Sequence, residues 1–171
     1  MDISTLPPDL PPSPREAQLA SVAEQVSAID EIVGYAASRM QIFDTDMGWS
    51  GWSRPQRVDA VSRFLRRGRH ATLEIIVHDT RWLEAYSGRL LMLLRQFPHA
   101  VTIYRTGPSA AGAMDPLVLC DRVHCVHRFH IDQPRGALIV AQPTAVKSLA
   151  ARFDEIWATG EPGLSSTTLG L

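Results

Sequence analysis

The stretch Pro116-Leu117-Val118-Leu119-Cys120-Asp121-Arg122-Val123-His124-Cys125-Val126-His127-Arg128-Phe129 decides what kind of sheet this chain can build. Two apolar runs flank Asp121-Arg122, with no room between them for a helix. Strands joined that closely can only pair antiparallel. We read strands at 116–120 and 124–130, and a third at 136–141. Upstream the pattern changes. Strands at 40–43, 72–77 and 101–104 are separated by stretches of helical periodicity, and strand-helix-strand connections imply parallel pairing. The order α-β-α-β-α-β-β-β-β-α therefore predicts an α/β fold: a mixed, mostly parallel sheet with helices on both faces.

The helices carry their own marks. Leu19, Val22, Val26, Ile29, Ile32, Val33 and Ala36 recur at three- and four-residue spacing, predicting a helix from Arg15 to about Ser38. Ser53 as N-cap and Pro55 in the first turn open a second helix, which stops at Gly68. A third is predicted from a Thr80 cap to Pro98, and a last from a Thr144 cap. The apolar face of that last helix, Val146, Leu149, Phe153, Ile156 and Trp157, is assigned to the core. Residues 1–14 hold five prolines and read as a disordered tail. Residues 15–159 form one domain, and 160–171 a flexible tail.

The whole chain has 171 residues, 45% of them hydrophobic, and a formal net charge of −1. That charge provides no overall field for nucleic acid, so no nucleic-acid partner is expected. No apolar run approaches the roughly 20 residues that cross a bilayer, and the acidic, proline-rich start does not read as a signal peptide. With two cysteines only, the expectation is a soluble, cytoplasmic protein. Sixteen of the seventeen basic residues are arginine. Arg63, Arg66, Arg67, Arg69 and His70 form one basic cluster, read as a solvated helix end that suits the helix macrodipole.

Polar residues gather where strands end: Asp44 and Asp46, His78 and Asp79, Arg105, and Asp121. In open α/β sheets that edge is the usual ligand crevice, although aspartates there also cap turns. Asp44-x-Asp46 admits a further reading, as nucleophile and acid/base of a magnesium-dependent phosphatase of the haloacid dehalogenase type. Trp49 and Trp52 would either cover a pocket or anchor their loop. Cys120, Asp121, His124, Cys125, His127 and His130 are dense in metal-ligand types. Strand alternation splits them between two faces, so they read as polar positions on an exposed hairpin. No catalytic residue, metal set or cofactor is assigned.

From about Ser27 to Trp157 the chain resembles one half of the phospholipase D-like fold. The pieces that carry this are ASRMQIFDTDM (37–47), PLVLCDRVHCVHRF (116–129) and RGALIVAQPTAVKSLAARFDEIW (135–157). The whole is similar to an uncharacterised bacterial domain family that also occurs fused to acetyltransferases. The phospholipase D signature is His-x-Lys-x4-Asp followed by Gly-Ser. Aligned on Asp121, its histidine falls on Met114, its lysine on Pro116, and its Gly-Ser on Arg128 and Phe129. Met114 cannot serve as nucleophile and Pro116 carries no charge for phosphate. The resemblance thus implies the fold and a non-catalytic binding or regulatory module, acting with an acetyltransferase. The alternative is a metal-dependent phosphoryl-transfer enzyme or phosphodiester hydrolase using the strand-end carboxylates. Because the family joins two halves, the resemblance also implies a homodimer or a docked partner domain. The expected contact surface is His124, Val126, His127, Arg128 and Phe129, weakened as its histidines protonate below pH 7.

Overall fold

Along the chain, a computed structural model describing residues 10–167 gives β1 (Arg15–Leu19), α1 (Val22–Tyr35), β2 (Arg39–Asp44), α2 (Pro55–Arg67) and β3 (Thr72–Val77). There follow α3 (Arg81–Tyr86), α4 (Gly88–Gln96), β4 (Val101–Arg105), a 3₁₀ turn at Pro108–Ala110 and β5 (Leu117–Cys120). The chain closes with β6 (His124–Arg128), β7 (Gly136–Val140), α5 (Pro143–Trp157) and β8 (Glu161–Leu164). One eight-stranded sheet results, in the order β1-β7-β6-β5-β2-β3-β4-β8.

The sheet is mixed with helices on both faces, as the alternation of elements predicts, but its balance differs. Only β2–β3 and β3–β4 are parallel. The other five ladders are antiparallel. Two of the antiparallel strands come from segments read otherwise. Arg15–Leu19 is an edge strand on β7 rather than the start of the first helix. That helix starts at Val22 behind a reciprocal cap: Ser21 Oγ accepts from Glu24 N, and Glu24 Oε2 accepts from Ala20 N. Glu161–Leu164, expected in a loose tail, is an edge strand on β4. Residues 1–9, within the expected disordered tail, lie outside the described residues, as do 168–171.

Other helix boundaries also shift. Arg54 rather than Ser53 precedes α2, and Gln142 precedes α5, so Thr144 is not its cap. The third predicted helix is broken at Ser87, whose hydroxyl donates to Trp52 O.

Alternation along the strands sorts the core. Met40, Ile42, Leu73, Ile75, Cys120, Val126 and Val140 face α1, α2, α3 and α4. Phe43, Ile76, Leu117, Leu119 and Cys125 face α5, which supplies Val146, Ala150, Phe153 and Ile156. Trp157 is only partly buried, stacked on Tyr104 with ring centroids 4.5 Å apart. Strands covered on both faces read as continuous apolar runs, which is what 72–77 and 117–120 show.

The β5–β6 turn is tight, with Asp121 and Arg122 both at positive φ (55° and 56°). Such a conformation costs a non-glycine residue about 1–2 kcal/mol. The Asp121 carboxylate offsets it by accepting from the backbone N–H of Ala37, Ser38 and Arg39, each at 2.8 Å, and from the Ser38 hydroxyl. Burial alone would raise the Asp121 pKa; these donors outweigh it and hold the group below its ordinary value.

Candidate functional site

Parallel pairing brings the ends of β2, β3 and β4 to one edge of the sheet, so Asp44, His78, Asp79 and Arg105 gather there. Because β5 runs antiparallel to β2, its beginning joins that edge, and so does the end of β6. Met114, Asp115, His127, Arg128 and Phe129 therefore share it. Asp121, predicted in the same crevice, lies at the opposite edge. Counting strand ends in sequence assumed a common direction, which β5 does not have.

Asp44 is buried and accepts from Thr45 N at 2.7 Å and from Trp49 Nε1 at 3.0 Å. Burial pushes its pKa up to about 6, although these donors oppose the shift. Asp46 accepts from Gly48 N, closing the loop on itself. Both nitrogens of His78 are occupied: Nε2 donates to Ala113 O and Nδ1 meets the Thr106 hydroxyl, each at 2.6 Å. Asp79 is bound by the Arg81 guanidinium and the Arg81 N–H, which hold its pKa down at about 2. His78 and Asp79 thus shape the edge and hold the turns there.

Asp115 and Arg152 were not singled out in the sequence. Asp115 accepts from Arg152 Nε at 2.7 Å and from His127 Nε2 at 3.0 Å. Burial would raise its pKa, but His127 and Arg152 dominate and bring it to about 2. No local signal marks this trio, since Arg152 is 37 residues away on α5.

Exposed Arg105 lines a separate groove with Asp79 and Arg81, and Arg128 is the buried group left with donors to offer. Only 7% exposed, it gives Nε to Gln133 O at 2.7 Å, and its guanidinium lies 4.5 Å from the centroid of the Trp49 ring. No ion pair holds it among the described residues. Burial lowers its pKa, with Asp44 and Asp132 partly opposing. Arg128 opens into a groove of about 510 Å³ lined also by Asp46, Trp49, Trp82 and Ile131. Trp49 thus both lines the pocket and anchors its loop, whereas Trp52 is fully buried.

The surface expected at His124, Val126, His127, Arg128 and Phe129 is not a surface. His124, Val126 and Arg128 are buried under α1, His127 is partly buried by its link to Asp115, and only Phe129 stands out, at 45% exposure. A hairpin read as exposed is the middle of the sheet. Nor do Asp44, Asp46 and Asp79 join: among the described residues no three His, Cys, Asp or Glu side chains group as a metal site requires.

Asp44 makes a stability prediction. A carboxylate raised from about 3.9 to about 6 binds its proton more tightly when folded, so stability falls as pH rises from about 4 to 6. Two pKa units correspond to about 3 kcal/mol. Asp44→Asn should flatten that slope and stabilise the protein at pH 7, as urea titrations at pH 4.5 and 7 would read. An unchanged slope would place the titration elsewhere.

Residues 21–167 match the family model described as Domain of unknown function (DUF7931). No curated protein matches the chain. Among solved structures, the archaeal chromatin protein TrmBL2, whose structure shows a novel mode of DNA binding, aligns at TM-score 0.65 and 12% identity over 87% of this chain. The chain spans only about half of that protein, 55%. Nuc from Salmonella typhimurium, a phospholipase D family member, aligns at TM-score 0.58 and 14% identity, covering 90% of this chain and 100% of its own. NucT from Helicobacter pylori gives 0.59 and 10%, covering 88% and 100%. The fold is phospholipase D-like.

Proposed function

We propose that this chain, which belongs to the DUF7931 family, is a non-catalytic phospholipase D-like module that binds a small oxyanion in the Arg128 groove. The observation that carries this reading is a buried arginine stacked on Trp49, with donors facing an open groove. A planar guanidinium holds phosphate or carboxylate through two parallel hydrogen bonds. Trp82 and Ile131 offer an apolar wall for the rest of the ligand. The other charged groups at this edge support binding over chemistry. Asp79, Asp115, His127 and His78 are committed to neighbours, and Met114 and Pro116 stand at the signature positions for nucleophile and phosphate-binding lysine.

The module acts on a partner protein, with an acetyltransferase as the partner that the sequence resemblance implies, or on a second copy. Half-exposed Phe129 beside the groove is the apolar contact for either. The setting is the cytoplasm, where the two buried free thiols suit a reducing compartment.

Two measurements test this. With bis(p-nitrophenyl) phosphate, in magnesium, manganese or chelator, no turnover is expected. Turnover abolished by Asp44→Asn would establish the metal-dependent hydrolase instead. Phenyl phosphate at ten times its Kd should raise Tm by about 3–5 °C in the native chain. Arg128→Gln should abolish that rise, and equal shifts in both proteins would remove Arg128 from the site.

A further inference from the structure

We propose that the edge of the domain where α2 and α4 end binds the phosphate backbone of a nucleic acid. The whole-chain charge of −1 hides a strong segregation. Residues 60–73 hold four arginines and no acidic residue; residues 85–100 hold two arginines and no acidic residue, Arg95 in the last turn of α4. The fold then brings the two stretches together. Each of α2 and α4 leads into a strand of the parallel trio, and Leu73 of β3 pairs with Val101 of β4. The two helices therefore finish at the same edge, opposite the Arg128 groove. The two helices are in contact, so Arg95 in the last turn of α4 and Arg66, Arg67 and Arg69 at and just past the end of α2 share that edge.

All of these side chains, and Arg63 one turn earlier, are exposed. None forms an ion pair among the described residues, whereas Arg15, Arg39, Arg54, Arg57, Arg81, Arg122 and Arg152 each have a carboxylate partner. Two helix C-termini favour cations, but each offers only about half an elementary charge. That does not balance five guanidinium groups. An array spread over two helices fits a row of phosphates better than one small anion. A bilayer fits less well, because the apolar face of α2, with Val61, Phe64 and Leu65, is already buried in the core, and the exposed apolar side chains nearby, Met92 on α4 and Leu10, stand singly rather than as an apolar stripe.

The test is fluorescence polarisation with a labelled 20-base-pair DNA duplex, alongside phosphatidylserine vesicles. The native chain should bind the duplex with a log–log salt slope of about −3 to −4, losing about 100-fold in affinity between 50 and 200 mM salt. The triple variant Arg66→Gln, Arg67→Gln, Arg69→Gln should bind at least 10-fold more weakly at 50 mM salt, with a slope nearer −1. Arg135→Gln, exposed elsewhere, should match the native chain. Unchanged melting temperatures would show that the variants stay folded. Absence of binding at 50 mM salt, a triple variant that binds like the native chain, or binding to vesicles alone would each overturn the assignment.

Discussion

Replacing Phe153 with alanine is expected to destabilise the domain by about 3–5 kcal/mol. Phe153 is fully buried on the face of the sheet where α5 is the one α-helix packed among the described residues, with Phe43, Ile76, Leu117, Leu119, Cys125 and Ala110 of the 3₁₀ turn in the same cluster. Four helices share the opposite face, so a gap there could be filled by neighbours. Under α5 the strands on one side and a single helix on the other leave little to collapse into the void, which places the loss toward the upper end of the range. Its ring also packs beside Trp157 at 5.7 Å, so tryptophan emission should shift to the red as stability falls. Trp157→Ala should cost less, because that ring is only partly buried on Tyr104. Chemical denaturation with matched m-values would measure both. A Phe153→Ala loss below about 1 kcal/mol would mean that α5 is not the cover of this face.

Asp30→Ala is expected to cost about 3 kcal/mol, at the lower end for a broken buried ion pair because the carboxylate is partly open to water. Its partner Arg57 has a fully buried side chain that donates Nε to Asp30 at 2.6 Å, Nη2 to Val26 O at 3.0 Å, and Nη1 to Ser50 O. It also lies over the Trp52 ring at 4.8 Å. Removing Asp30 leaves that cation buried without a counter-charge. Burial tends to raise the Asp30 pKa, but the Arg57 and Arg54 hydrogen bonds prevail and lower it. The contribution of the pair is therefore complete above the ordinary aspartate range near 3.9 and is lost as pH falls through the lowered folded value. Asp30→Asn, which keeps the shape and removes the charge, should lose most of the same stability at pH 7 and little below pH 3. A variant as stable as the native chain at pH 7 would show that the carbonyls of Val26 and Ser50 hold Arg57 unaided.

Between residues 22 and 157 the alternation of strand and helix was legible in the sequence, because apolar period and turn chemistry are local; the edge strands at 15–19 and 161–164 were not, because each takes its hydrogen bonds from a strand far off along the chain. The short Asp121-Arg122 connection forced an antiparallel hairpin, and the long helical connections before it forced parallel strands. What the sequence could not contain was the place of each strand in the sheet. That order put Asp121 at the far edge, bonded to the 37–39 backbone. It also buried the 124–128 strand between α1 and α5, where a lone hairpin would have been exposed. Only the folded chain decided that Arg128 would keep free donors while Asp115 met Arg152, since ion pairs between distant residues leave no mark on local periodicity. Pairing across a sheet is a contest among many strands for the same backbone hydrogen bonds, and its outcome depends on which faces the helices can cover together.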